Sequence, residues 1–198
     1  PPHVSIYNIV DDKNSRARIC ETVEHECFIN RNVPVLVAAG RLAPWKGFAD
    51  LIHAIKELRQ KREVRLLILG DGPLRSELQA LIVKLGLEDV VSLLGYVTNP
   101  LKYFAQSNVF VLSSHVEGLP NVLVEAMMCG CTPVATDCPT GPREVLRDGK
   151  YGYLVAMAVA IEQALDKPIP KNLLDEAILP FEENTVINRH FEILGVSS

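Results

Sequence analysis

Short apolar runs alternate with amphipathic segments along most of this 198-residue chain. The runs, rich in Val, Ile and Leu, lie at 33–40, 64–70, 90–95, 109–114, 133–137 and 153–155. Continuous apolar runs of this length are typical of strands that are buried on both faces of a parallel sheet. We therefore predict an α/β fold, a doubly wound (Rossmann-like) parallel sheet with right-handed crossover helices on both faces.

The segments between these runs have helical periodicity or helix boundary residues. Within 47–63, apolar residues at positions 48, 51, 52, 55 and 58 form a single stripe. Pro73 and Gly86 bracket a second helix, as a first-turn proline and a C-cap glycine do. Further helices are predicted at 100–106, 120–129, 142–147 and 157–166.

The two ends of the chain have a different character, which predicts three segments. Residues 1–30 form a linker with a short polar helix, and residues 31–167 form the Rossmann-like domain. Residues 168–198 form a proline-containing tail that ends in one helix, FEENTVINRHFEILG.

Composition excludes several classes of protein. The chain is 48% hydrophobic and 22% charged, as globular domains are. A net charge of −4 with no basic tract argues against nucleic-acid binding. The chain contains no run of 18 apolar residues, so the sequence predicts no membrane-spanning helix. Five irregularly spaced cysteines favour free thiols in a reducing cytosol over disulfides or a metal site.

Doubly wound sheets bind ligands beyond the carboxyl ends of their strands, so the loops there are the candidate sites. The loop after the first strand is GRLAPWKGF, in which Arg41 and Lys46 lie between Gly40 and Gly47. Two cations at a helix N-terminus can clamp a diphosphate through charge, a guanidinium fork and backbone amides. The alternative is a solvated loop with two surface cations.

The next two loops carry weaker signals. GDGPLR has Arg75 where a dinucleotide fingerprint requires its third glycine, and it does not follow the first strand, so a tight turn is favoured. In GYVTNP, Tyr96 or the backbone of Val97 could lie along a flat base, and a plain turn explains the loop equally well.

The fourth loop contains two glutamates eight residues apart, Glu117 and Glu125. In one continuous helix they would lie ~12 Å apart and could not form an acid–base pair. Pro120 instead predicts a helix that begins there or at Asn121, with Glu117 in the preceding loop. Backbone amides from Leu119 to Val122 would then be free for an anion. A nucleoside diphosphate sugar has the matching form, with hydroxyls at both ends and charge in the middle.

These motifs together resemble a known family. The stretches GRLAPWKGF, LLILGDGP, VSLLGY, VLSSHVEGLPNVLVEAMMCGCTPVATD and GPREVLRDGKYGYLV, from about Val33 to Val155, are similar to the donor-binding C-terminal half of group 1, retaining GT-B glycosyltransferases.

The resemblance implies a role for each matching residue. Arg41 and Lys46 would hold the diphosphate without a metal or cofactor, and Glu117 would lie beside the donor sugar. The ribose would bind Glu125. The base would lie near Tyr96 and Val97. The remaining donor contacts would come from Gly40, Gly118, Leu119, Pro120, Asn121 and Val122.

The implied function is transfer of a hexose or N-acetylhexosamine, from UDP rather than GDP, to a glycan or lipid-linked acceptor in bacterial surface polysaccharide or lipopolysaccharide synthesis. It implies an N-terminal acceptor-binding domain as partner, and a location in the cytoplasm or peripherally at the inner face of the membrane. The alternatives are a non-catalytic nucleotide-diphosphate-binding module and a GT-B nucleotide-sugar epimerase.

One departure concerns the segment after GYLV, where the family has a polar, Asp-containing loop. This chain continues directly into AMAVAIEQAL. Either residues are missing between Val155 and Met157 or the loop is short.

Overall fold

The computed structural model describes residues 10–29, 32–138, 140–154 and 157–194. Six parallel strands form one sheet. They are Val35–Ala39 (β1), Arg65–Leu69 (β2), Val91–Gly95 (β3), Val109–Leu112 (β4), Thr132–Ala135 (β5) and Tyr153–Leu154 (β6). The predicted α/β fold with a doubly wound parallel sheet is confirmed.

Helices cover the sheet. They are Ser15–Ile19 (α1), Phe48–Leu58 (α2), Arg75–Leu85 (α3), Leu101–Gln106 (α4), Asn121–Met128 (α5), Pro142–Val145 (α6), Met157–Asp166 (α7), Lys171–Ile178 (α8) and Glu183–Leu194 (α9). Short 3₁₀ turns lie at Glu26–Phe28, Pro44–Lys46 and Leu179–Phe181.

The strand order, β3-β2-β1-β4-β5-β6, fixes where a ligand can bind. From β1 the chain moves outward to β3 and then returns to pair β4 with β1, with Val37 opposite Phe110. The direction of winding reverses at this pair, and a crevice opens there at the carboxyl ends of the strands. The loops after β1 and β4 are therefore neighbours.

Both faces of the central strands are buried, which explains their continuous apolar sequences. In β1, Val35 and Val37 belong to the core beneath α4, α5 and α8. Leu36 and Ala38, on the alternate face, belong to the core beneath α2, α3 and α7. The period-2 geometry of a strand thus sends successive side chains into two separate cores.

The helices begin and end within a few residues of the positions predicted from the sequence. The first large helix ends at Leu58, where its apolar stripe ends, rather than at residue 63. The second begins at Arg75, two positions after Pro73, and ends at Leu85, with Gly86 as its C-cap in the left-handed conformation, φ 63°. The predicted junction between Val155 and Met157 lies outside the described residues, as do residues 1–9 of the linker.

The tail contains a helix that the sequence analysis did not predict. Helix α8 begins after Pro170 and buries Leu174, Ala177 and Ile178 against the α5 side of the sheet. The start of the described chain is tied to the same region, because the Val10 amide donates to the Phe181 carbonyl at 3.0 Å.

Candidate functional site

Two loops meet at the crevice between β1 and β4: the β1 loop (residues 40–47) and the β4 loop (residues 113–120). The Ser113 hydroxyl donates to the Lys46 carbonyl at 2.7 Å. The His115 amide donates to the Trp45 carbonyl at 2.8 Å. These two bonds hold the predicted cationic loop against the predicted acidic loop.

Gly47 permits this close approach of the two loops. Its φ is +63°, and a Cβ atom there would lie 2.0 Å from the Ser113 carbonyl oxygen. Only glycine adopts this conformation without strain and leaves room for the neighbouring backbone. The packing of the two loops therefore requires a glycine after Lys46 at the end of the β1 loop.

Lys46 and Glu117 form an ion pair in the crevice. The Lys46 ammonium donates to Glu117 Oε1 at 2.5 Å, and the two side chains are 19% and 11% exposed. The Ser114 hydroxyl donates to the same oxygen at 2.6 Å. The cation predicted for the diphosphate is therefore already balanced by the carboxylate predicted for the sugar.

Arg41 and Gly40 lie at the very end of β1. Arg41 is exposed, and its side chain makes no hydrogen bond or ion pair to another described residue. The Lys46 side chain passes over Gly40, where a Cβ atom would lie 3.6 Å from Lys46 Cε. The crevice thus combines one balanced cation with one cation that is open to a ligand.

The β4 loop is anchored from its other side. The Thr140 hydroxyl donates to the Glu117 carbonyl at 2.5 Å. Gly141, with φ +87°, lies so close to Gly118 that a Cβ atom would be 1.8 Å from the Gly118 carbonyl oxygen. The loop that bears Glu117 is therefore held from two sides, by the β1 loop and by the segment of Thr140 and Gly141.

Helix α5 begins at Asn121, directly after Pro120, as predicted. The expectation that every amide from Leu119 to Val122 is free is wrong. Pro120 has no amide hydrogen, and the Asn121 amide donates to the Leu119 carbonyl at 3.0 Å. The amides of Leu119 and Val122 make no hydrogen bond to a described residue and stay available for an anion.

Glu125 lies one turn into α5 and is half-buried. Burial raises the pKa of its carboxyl above the ordinary value of 4.5, and the charge of Arg18 opposes that rise. The structure does not bring Glu125 into contact with the Lys46–Glu117 pair through any hydrogen bond or ion pair of the described residues.

Tyr96 and Val97 follow β3 at the same edge of the sheet. Tyr96 is 80% exposed, whereas Val97 packs against the core beneath α4 and α5. Since neighbouring strands lie ~4.8 Å apart, this loop is ~10 Å from the end of β1. Such a separation suits an extended ligand better than a compact one.

Several residues of the site escaped the sequence analysis: Ser113, Ser114 and Thr140. The available signal for Ser114 was a hydroxyl three residues before an acid at the end of a buried strand, a spacing at which side chains bond locally. No local signal identifies Thr140, because only the folded chain brings it near Glu117.

Metal-binding clusters and membrane-spanning helices are absent from the described ranges. No group of three or more His, Cys, Asp or Glu side chains is arranged to hold a metal ion there. No helix in those ranges is both long and apolar enough to cross a membrane. All five cysteines are free thiols.

The fold and the charged crevice at its switch point place the chain in the class of doubly wound α/β domains that bind ligands at the carboxyl edge of the sheet. Comparison with known proteins identifies the family. The chain belongs to the glycosyl transferases group 1 family, whose model matches residues 22–180.

Two named relatives are bacterial glycosyltransferases. An N-acetylgalactosamine-N,N'-diacetylbacillosaminyl-diphospho-undecaprenol 4-alpha-N-acetylgalactosaminyltransferase of Campylobacter jejuni is 40% identical over 76% of this chain and 39% of its own length. The lipopolysaccharide core biosynthesis glycosyltransferase LpsE of Rhizobium meliloti is 32% identical over 80% of this chain and 46% of its own length.

A solved structure gives the same result for the fold. Anabaena Alr3699/HepE, in complex with UDP, superposes with a TM-score of 0.76 and 28% identity over 83% of this chain and 49% of that one. The chain thus spans less than half the length of each of these three relatives.

Proposed function

We propose that this chain is the donor-binding half of a retaining glycosyltransferase that uses a UDP-sugar. The whole enzyme would transfer a hexose or N-acetylhexosamine to a glycan or lipid-linked acceptor in bacterial surface polysaccharide or lipopolysaccharide synthesis. The observation that carries the proposal is the meeting of the Arg41/Lys46 loop with the Glu117 loop at the β1–β4 switch point.

Arg41 and Lys46 would bind the diphosphate. A leaving nucleoside diphosphate gains negative charge as the bond to the sugar breaks, and fixed cations stabilise that charge without reorganising. Arg41 offers a fork of donors, whereas Lys46 offers a single charge. The amides of Leu119 and Val122 would add uncharged donors at the start of α5.

Glu117 and Lys46 would exchange partners when the donor binds. In the structure Lys46 donates to Glu117. A diphosphate that engages Lys46 would release Glu117 Oε1 to accept hydrogen bonds from the hydroxyls of the donor sugar. In a retaining transfer on one face of the sugar, no nucleophile from this domain is required.

Glu125 would accept hydrogen bonds from the ribose, and Tyr96 with Val97 would border the base. Gly40, Gly118, Pro120 and Asn121 would shape the backbone between these points. The choice of UDP is supported by the EGLPNVL stretch and by the UDP bound to the related HepE.

The reaction would need no metal or other cofactor, because the cations of the β1 loop carry the charge that a divalent ion supplies elsewhere. The partner half would bind the acceptor in the cytoplasm, or at the inner face of the membrane when the acceptor is lipid-linked.

Calorimetric titration of the chain with UDP, GDP and a panel of UDP-sugars tests this proposal. We expect saturable UDP binding that weakens at least about tenfold in Arg41→Ala and in Lys46→Ala, since a hydrogen bond to a charged group contributes ~1.5–3 kcal/mol. An exposed lysine on α3, Lys84→Ala, is the matched control. Undiminished UDP binding in both loop variants would refute the clamp.

A further inference from the structure

The two oxygens of the Glu117 carboxylate have different surroundings in the described part of the chain. Glu117 Oε1 accepts from the Lys46 ammonium at 2.5 Å and from the Ser114 hydroxyl at 2.6 Å. Glu117 Oε2 accepts no hydrogen bond from a described residue, and it is not fully buried. Oε1 is therefore the anchored oxygen, and Oε2 is the oxygen that is open to a ligand.

The two donors to Oε1 differ in whether a ligand can draw them away. Lys46 carries a full charge at the end of a flexible side chain, so a diphosphate attracts it. Ser114 is only 1% exposed and lies just after β4. The Thr136 hydroxyl, just after β5, donates to the Ser114 carbonyl and holds it in place. A ligand in the crevice can therefore take Lys46 from Glu117, whereas Ser114 stays bound to it.

Departure of Lys46 creates an electrostatic problem at Glu117. The Glu117 side chain is 11% exposed, so its charge is poorly hydrated. A buried charge that loses its partner is strongly destabilising, because nothing then compensates its desolvation. A hydrogen bond to an ionised group is stronger than one between neutral groups. The Ser114 hydroxyl therefore stabilises the carboxylate most in the state where Lys46 is absent.

We propose that Ser114 is a positioning residue, which holds Glu117 in place after the diphosphate has taken Lys46 and leaves Oε2 for the hydroxyls of the donor sugar. This inference rests on the proposed function, in which Lys46 binds the diphosphate and Glu117 meets the sugar. It gives nucleotide binding a dependence on a buried hydroxyl that needs no contact with the nucleotide itself.

A double-mutant cycle of Ser114→Ala and Glu117→Gln, titrated with UDP by calorimetry, measures this role. Ser114→Ala alone should weaken UDP binding about threefold to tenfold, because the complex then contains a buried Glu117 charge without a partner. In the Glu117→Gln background, the same substitution should change the affinity by less than about twofold, since no charge is left behind. A purely structural effect of Ser114→Ala would weaken UDP binding by the same factor in both backgrounds.

Two further variants separate the hydroxyl from its surroundings. Ser113→Ala removes the neighbouring buried hydroxyl, which donates to the Lys46 carbonyl and not to Glu117. Its effect on UDP affinity should be the same with Glu117 and in Glu117→Gln. Ser114→Cys keeps a weaker donor in the same place, so its UDP affinity should lie between those of Ser114→Ala and the unaltered chain. A thermal melt of each variant shows that it is folded at the temperature of the titration.

Unchanged or tighter UDP binding in Ser114→Ala overturns the inference. It is overturned equally if Ser114→Ala weakens UDP binding by the same factor in both backgrounds, because Ser114 would then act independently of the Glu117 charge. Failure of the proposed function looks different: the unaltered chain would not bind UDP, or Lys46→Ala would bind it normally.

Discussion

Replacing Glu117 with Gln should tighten the binding of UDP. The Lys46 ammonium lies 2.5 Å from Glu117 Oε1, and both side chains are largely buried. A diphosphate therefore competes with Glu117 for Lys46 and is repelled by the Glu117 charge. Glutamine removes the charge but keeps an acceptor for the Ser114 hydroxyl, which donates at 2.6 Å.

The size of the effect follows from this geometry. A hydrogen bond to a charged group contributes ~1.5–3 kcal/mol. Since ~1.4 kcal/mol corresponds to a tenfold change in affinity, removing the competing charge should tighten UDP binding by about tenfold or more. Two unit charges 4 Å apart interact by ~4 kcal/mol at an effective dielectric constant of 20, which sets the upper end.

Calorimetric titration of Glu117→Gln with UDP and with a UDP-sugar separates two roles of Glu117: competition with the diphosphate for Lys46, and acceptance of hydrogen bonds from the donor sugar. UDP should bind more tightly, while the UDP-sugar should gain less, because the sugar loses a charged acceptor. Glu57→Gln, an exposed position on α2, serves as the control for net charge. Unchanged or weaker UDP binding in Glu117→Gln would refute the competition between Glu117 and the diphosphate.

Three further predictions concern stability and cofactor dependence. Gly47→Ala should lower the free energy of unfolding by at least ~1–3 kcal/mol, because φ is +63° and a Cβ atom meets the Ser113 carbonyl at 2.0 Å. In Gly118→Ala, where no atom lies within 4 Å, the calorimetric Tm should hardly change, and equal losses would contradict the packing argument. Burial raises the pKa of Glu125 above 4.5, so the folded chain favours the protonated carboxyl. The stability that this carboxyl contributes is therefore complete below pH 4.5 and is lost as the pH rises through the pKa of Glu125 in the folded chain. Glu125→Gln should therefore raise the Tm at about pH 8 and not at about pH 3, whereas an equal gain at both would show another cause. Finally, UDP affinity should be the same with and without EDTA, and a clear loss on chelation would mean that a divalent ion takes part.

The strands were predictable because their apolar runs are local and continuous. The start of α5 was predictable because Pro120 is a boundary residue. Helix α8 was not, because its short apolar stripe follows two prolines and gains its stability from packing against α5.

The site was predictable as a set of loops but not as a set of contacts. Lys46 and Glu117 are 71 residues apart in sequence, and only the pairing of β1 with β4 brings them together. The resemblance assigned them to different parts of the donor, so their mutual ion pair is a finding of the structure.

A crystal structure of the chain with UDP bound tests the central claim most directly. We predict the diphosphate in the crevice between β1 and β4, within hydrogen-bonding distance of Arg41 and Lys46, with Glu117 released from Lys46 and the ribose hydroxyls at Glu125. A nucleotide bound elsewhere on the chain, or one in the crevice with the Lys46–Glu117 pair intact and Glu125 unengaged, would contradict the account.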